Sequence, residues 1–164
     1  MARDRVRRYW SVVALSFLLV VFFTILDLAG AHMWGLIGGW GGAAYVGAGA
    51  AYQSLFWGFA YSVAVIIALV YFFAVRDYSE SLALLLVPIV LLQFGVEDVL
   101  FYFFGGFDLW HSTMSWLTGN LWIPTLISWA VGVPIITGWV LFVSAILGVI
   151  TAIILAVILG KAKW

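Results

Sequence analysis

Two adjacent acids, Glu97 and Asp98, stand inside an apolar run from Leu82 to Phe104. A carboxylate held in a membrane-length apolar segment is expensive, and such residues mark proton or ion paths, functional sites or buried polar pairs. Four carboxylates, Asp27, Glu97, Asp98 and Asp108, fall at or near the same ends of their apolar runs, together with both histidines, His32 and His111. No Lys or Arg lies near any of them. Carboxylates and imidazoles are the ligand types of iron, manganese and zinc, and a divalent metal would balance acids that have no cation of their own. The candidate metal ligands are therefore Glu97, Asp98, Asp27, Asp108, His111 and His32. Glu97 and Asp98 are also the candidate catalytic acids. The spacing lacks the Glu-x-x-His pairs of di-iron bundles and the His-Glu-x-x-His of zinc proteases. The same groups, with Gln93 and Tyr102, could instead pass a proton or bind a cation. In the plainest reading the acids hold helices together by hydrogen bonding. A haem between His32 and His111 is disfavoured, since bundle haems take ligands from within helices and both residues fall in interfacial segments; the cofactor is otherwise left open.

The elements that position these groups must be membrane helices. The chain has 164 residues, 66% of them hydrophobic and 9% charged, far from the composition of a soluble domain. Its ten Trp and seven Tyr suit the two interfaces of a bilayer. It contains no Cys, which excludes thiolate metal sites and thiol nucleophiles. A net charge of zero and the lack of a long basic tract give nucleic-acid binding no support. Serine hydrolase chemistry lacks its Gly-x-Ser-x-Gly elbow.

The expected fold is all-α: one polytopic transmembrane domain over 1–164, with four spans at about 9–28, 53–75, 82–104 and 135–159. A signal peptide ending at Ala31 is disfavoured by the length of the first apolar run and by Asp27. Between the first two spans, the glycines at 30, 35, 38, 39, 41, 42, 47 and 49 sit among Trp34, Trp40 and Tyr45. Such a stretch is expected at the outer interface or as a re-entrant segment. Ser79 or Ser81 could cap the third span, and Pro88 is where it is expected to bend. The apolar run from Leu121 to Gly160 would be about 60 Å as one helix, twice the hydrocarbon thickness. Pro124 and Pro134 should divide it into an interfacial or half-buried helix over 124–133 and the last span.

Four spans place Arg3, Arg5, Arg7, Arg8, Arg76, Lys161 and Lys163 on one side, with both termini. By the positive-inside rule that side is cytoplasmic, and a multi-pass cell-membrane protein is expected. Asp77 and Glu80 would lie there as solvated partners of the basic residues. The candidate site would occupy the outer half of the bundle. Glu97, seven residues before the end of its span, would sit about 10 Å below the outer boundary if that span is straight. Two ridges of small residues, Ala60/Ala64/Ala68 and Ser144/Gly148/Ala152/Ala156/Gly160, suit close helix contact, within the chain or with a second copy or a partner membrane subunit.

The stretch Gly95-Val96-Glu97-Asp98-Val99-Leu100-Phe101-Tyr102 resembles the acidic motif of small membrane carotenoid (lycopene-type) cyclases, Pro-x-Glu-Glu/Asp followed by aromatics. The resemblance covers eight residues, with Gly95 in place of the proline. It implies that Glu97 and Asp98 would protonate a polyene and that the aromatics would stabilise a carbocation. The functional expectation is thus an outer-half polar site that binds a cation or proton or acts on a lipid-soluble molecule. The alternative is a non-catalytic accessory or structural subunit of a larger membrane complex.

Overall fold

A computed structural model describes the backbone over residues 2–33, 44–113 and 123–161, and side chains over 10–31, 54–113 and 123–161. The described residues form six helices: α1 (Ala2–Met33), α2 (Ala44–Val75), α3 (Tyr78–Gln93), α4 (Val96–Gly105), α5 (Ile123–Ala130) and α6 (Gly138–Lys161). Apart from one isolated bridge between Thr113 and Thr137, they contain no β-pairing. Three segments are long and apolar enough to cross a membrane: Trp10–Ala31, Ser54–Val75 and Gly138–Lys161. The pair α3 and α4 makes a fourth if a helix bent by 63° is one span.

The helices form where apolar runs meet few breakers, and α3 is their hub. It packs on α6, α2 and α1, and α4 continues onto α1 and α6. Its buried Ala83, Leu84, Val87, Leu91 and Leu92 meet Val20 and Phe23 of α1, Ala60 of α2 and Ala152 of α6 in one core. Both ridges of small residues are spent inside the chain. Ala60 and Ala64 are buried, as are Ser144, Gly148, Ala152 and Ala156. A side chain at Gly148 would run into the Phe94 ring, so the absence of a Cβ there sets how closely α6 approaches α3. The named ridge residues are thus packed within the chain, while Gly160 is half-buried.

The third span is not one helix bent at Pro88. Pro88 sits inside α3, buried, and the helix continues past it. The break comes at Phe94 and Gly95. Gly95 adopts a left-handed φ of 76°, which glycine alone reaches without cost, and it leaves α4 with no side-chain cap. The depth expected of Glu97 assumed a straight span, and the bend removes that assumption.

Element ends also shift. α1 continues to Met33 and α2 begins at Ala44, so part of the glycine-rich stretch is helical; its centre, 34–43, lies outside the described residues. Consecutive small residues at 47–51 carry no breaker stronger than glycine, and glycine weakens a helix by only about 1 kcal/mol against alanine. The short helix near Pro124 is present as α5. Pro124 is in its first turn, where a missing N–H has no partner to lose. Pro134 lies in the connection to α6.

Candidate functional site

The α3–α4 break positions the acid pair. Val96, Glu97 and Asp98 are the first three residues of α4, so both carboxyls sit in its first turn, where the helix dipole favours negative charge. Both are buried: Glu97 is 1% exposed and Asp98 5%. Asp27, near the end of α1, is half-buried and reaches them. Its carboxyl is close enough to interact with both Glu97 and Asp98. Asp98 takes a hydrogen bond from its own backbone N–H. Glu97 Oε1 and Asp98 Oδ2 have no hydrogen-bond partner among the described residues.

The three acids therefore meet in one cluster, as their sequence positions suggested. Asp108 and His111 do not join it. Asp108 and His111 lie in the loop after α4 and pair with each other, Oδ2 to Nδ1 at 2.7 Å, with side chains 60% and 88% exposed. Asp108 Oδ1 also accepts the backbone N–H groups of Trp110 at 3.0 Å and His111 at 3.2 Å. The hydrogen bond from His111 holds the Asp108 carboxyl below its ordinary value, with those amides assisting. This is a loop-closing pair in solvent. His32 belongs to α1 by its backbone, and its side chain is outside the described residues. Among the described residues, no group of three or more His, Asp or Glu is arranged to hold a metal ion. Asp108 and His111 thus stand apart from the acids: they lie in the exposed loop after α4, while Glu97 and Asp98 are buried in its first turn.

Gln93 does not extend the cluster along one helix face. The break falls between Gln93 and Glu97, so the one-turn spacing of a continuous helix does not hold. Gln93 Nε2 donates instead to the Tyr61 hydroxyl of α2. Tyr102 is buried with its ring against Phe101 and Phe107.

Two positions gain importance only in three dimensions. Gly95 is one. A Cβ there would meet Leu141 of α6 at 2.5 Å and Asp98 Oδ2 at 3.5 Å. Ser144 is the other. It lies on the stripe of α6 between Leu141, which meets Gly95, and Gly148, which meets Phe94. It is fully buried, and its hydroxyl has no partner among the described residues. The sequence shows Ser144 as one more member of a small ridge. Its burial without a hydrogen-bond partner is visible only in the packed bundle.

At the other end of α3, the acids expected in solvent are structural. Asp77, and not Ser79 or Ser81, caps α3: its side chain accepts the Glu80 backbone N–H at 3.0 Å. Glu80 is 2% exposed and accepts a hydrogen bond from the Tyr71 hydroxyl of α2. Tyr71, nine residues earlier across a tight turn, is close enough to draw Glu80 inward.

Comparison with known proteins adds no relative: no family model, curated protein or solved structure matches the chain. The likeness to carotenoid cyclases thus stands on eight residues. It also fails at its first position, because proline fixes φ near −65° and cannot adopt the φ of 76° that Gly95 has.

Proposed function

We propose that this chain is an integral membrane protein whose Asp27–Glu97–Asp98 cluster binds and releases a proton. The observation that carries the reading is the convergence of three carboxyls, two of them almost fully buried. Ionised carboxylates only accept hydrogen bonds, so neighbouring ones can bond to each other only when one carries a proton. Like charges at this separation favour one shared proton over two ionised groups, as in paired carboxylates elsewhere. The orphaned oxygens of Glu97 and Asp98 offer further acceptors at the same place.

The reading puts the termini and the basic residues in the cytoplasm of a cell-membrane protein, with the cluster toward the outer side. Four spans follow when α3 and α4 count as one broken span. A broken helix suits an ion site, since unwound backbone is tolerated at membrane depth only where protein or a cavity covers it. Buried acids also speak against a lipid-modifying enzyme built on them. One apolar groove among the described residues is lined by α1, α2 and α3 residues and not by these acids. The ridge residues on which an accessory subunit would dock are largely packed within the chain.

Infrared difference spectroscopy of the protein in membranes tests the proposal. A pH step should exchange a carboxylic-acid band for a carboxylate band in the wild type, and Glu97→Gln should remove that exchange. A wild-type spectrum with no pH-dependent carboxyl band, or one unaltered in Glu97→Gln, would overturn the reading.

A further inference from the structure

The three acids are covered unequally on their two sides. Away from the loop after α4 lies the larger apolar core. On α1 it runs from Phe23 back to Val12, about 16 Å at helical rise, and on α6 from Ala145 to Leu159, about 21 Å. Val87, Leu91 and Leu92 of α3 pack within it. Two buried hydroxyls of α1 lie along it, Ser16 and Thr24, but they stand about 12 Å apart, too far for a hydrogen bond to link them. Among the described side chains, α3, α5 and α6 carry only Tyr78, Glu80 and Lys161 as ionisable groups, all at the far end of this core. From α2, Tyr61 is engaged by Gln93 and Tyr71 by Glu80.

On the loop side the cover is one layer thick. Ala31 stands one turn past Asp27 and Tyr102 one turn past Asp98, about 6 Å along each helix. There Ala31, Phe101, Tyr102, Ile136 and Leu141 form a second, smaller core. Phe107 and Leu109 close it from the loop, and both are only half-buried. The Phe107 ring stacks on Phe101 at 5.8 Å.

This loop is built as one piece. Gly106 turns the chain out of α4 with a left-handed φ of 67°. Asp108 then bonds Trp110 and His111, and its carbonyl accepts the Ser112 hydroxyl, so these polar groups are met inside the loop. The loop rests on the start of α6. The Leu109 carbonyl lies against Gly138, where a Cβ would run into it. The Gly138 N–H donates to Ser112 O at 3.3 Å, and the Trp110 ring packs on Trp139 at 4.4 Å. Segments with few buried apolar contacts open at lower cost than a packed core. We propose that residues 106–112 form a lid over the acid cluster, that the lid opens by lifting off Gly138, and that the cluster exchanges its proton with the loop side alone. In the positive-inside topology that is the outer side. The inference rests on the proton reading of the cluster and adds to it the side and the route.

The chain has no Cys, so one introduced thiol reports access. Ala31→Cys places it beneath the lid, and Val87→Cys places it in the larger core. The whole protein is reconstituted in sealed vesicles, and a membrane-impermeant methanethiosulfonate reagent is added to one side or the other. Ala31→Cys should react slowly, and from the loop side only. Adding Gly138→Ala should speed that reaction about tenfold or more, because overpacking against Leu109 disfavours the closed lid. Leu109→Ala removes a side chain of the cover and should act in the same direction, which keeps the test open if Gly138→Ala does not fold. Val87→Cys should stay unreactive from both sides. The proposal is overturned if Ala31→Cys reacts no faster in the folded lid variants, or reacts as fast from the side of the termini. A wild type without a pH-dependent carboxyl band would sink the proton reading, whereas the thiol rates decide the lid and its side independently.

Discussion

Two buried acids occupy the same position in successive helices and have opposite surroundings. Glu80 is the third residue of α3 and Asp98 the third residue of α4. Each lies near a helix N-terminus and each is nearly free of solvent. Before Glu80 stands Asp77, whose side chain caps the helix, and across the turn Tyr71 donates to the Glu80 carboxyl. Before Asp98 stands Gly95, which has no side chain to cap anything, and Asp98 Oδ2 is left without a partner among the described residues. A Tyr hydroxyl and a cap make the first acid part of the scaffold. Their absence, with two more carboxyls alongside, leaves the second acid poorly satisfied in the folded chain. Burial alone therefore does not distinguish a structural acid from a chemical one; the difference lies in whether the neighbours complete its hydrogen bonds.

The largest effect should come from the residue that creates the contrast. Gly95→Ala puts a Cβ on a left-handed backbone and against Leu141. Backbone strain of about 1–2 kcal/mol and overpacking of about 1–3 kcal/mol should together lower stability by about 2–5 kcal/mol. Denaturation in mixed micelles measures that loss. The pH-dependent carboxyl band should also weaken or shift, because the break aims α4 and its two acids inward. If Gly95→Ala loses stability but keeps the wild-type band, the break is not what positions the acids.

Next in size is Tyr71→Phe. It removes the hydroxyl that Glu80 accepts and leaves that carboxyl with one partner fewer, for a loss of about 1–3 kcal/mol in the same denaturation assay. Asp98→Asn should act in the opposite direction at the other end. It removes one of three clustered acids and is expected to leave stability unchanged or raise it by up to about 1 kcal/mol, as substitutions at strained functional sites often do. The pH-dependent carboxyl signal should change with it. Equal losses in the two variants would erase the distinction between scaffold acid and site acid.

The membrane class of the fold was legible because it rests on composition and run length, and the helix near Pro124 followed from the same arithmetic. The meeting of Asp27 with Glu97 and Asp98 was legible as well. Asp27 ends the first apolar run, the pair lies late in the third, and runs that alternate in direction bring those two ends to the same side. The break at Gly95 was not, since a single glycine in an apolar run signals nothing beside a proline seven residues away. The packing of Leu141 and Gly148 of α6 against the turn is a tertiary contact that local spacing does not reveal. Glu80 misled for a related reason: a short polar segment reads as solvated, and nothing in its spacing reveals that the Tyr71 hydroxyl draws the carboxyl inside. Asp108 and His111 matched a metal-ligand pattern in type and spacing, but the direction of the loop after a bent helix decides whether they meet the buried acids, and that is a tertiary fact.

The smallest predicted effect concerns that exposed pair. The hydrogen bond from His111 lowers the Asp108 carboxyl from its ordinary value. A depressed folded value contributes stability above the unfolded carboxyl value, near pH 4, and the contribution is lost as pH falls through the lower folded value. Both side chains are open to water, so screening should make this contribution hard to measure by unfolding. The titration itself is the better readout. In His111→Ala, carboxyl chemical shifts should show Asp108 titrating closer to its ordinary range, while the infrared signal of the buried cluster stays as in wild type. A change in the cluster signal on removing His111 would join two regions that the fold keeps apart, and would restore His111 as part of the site.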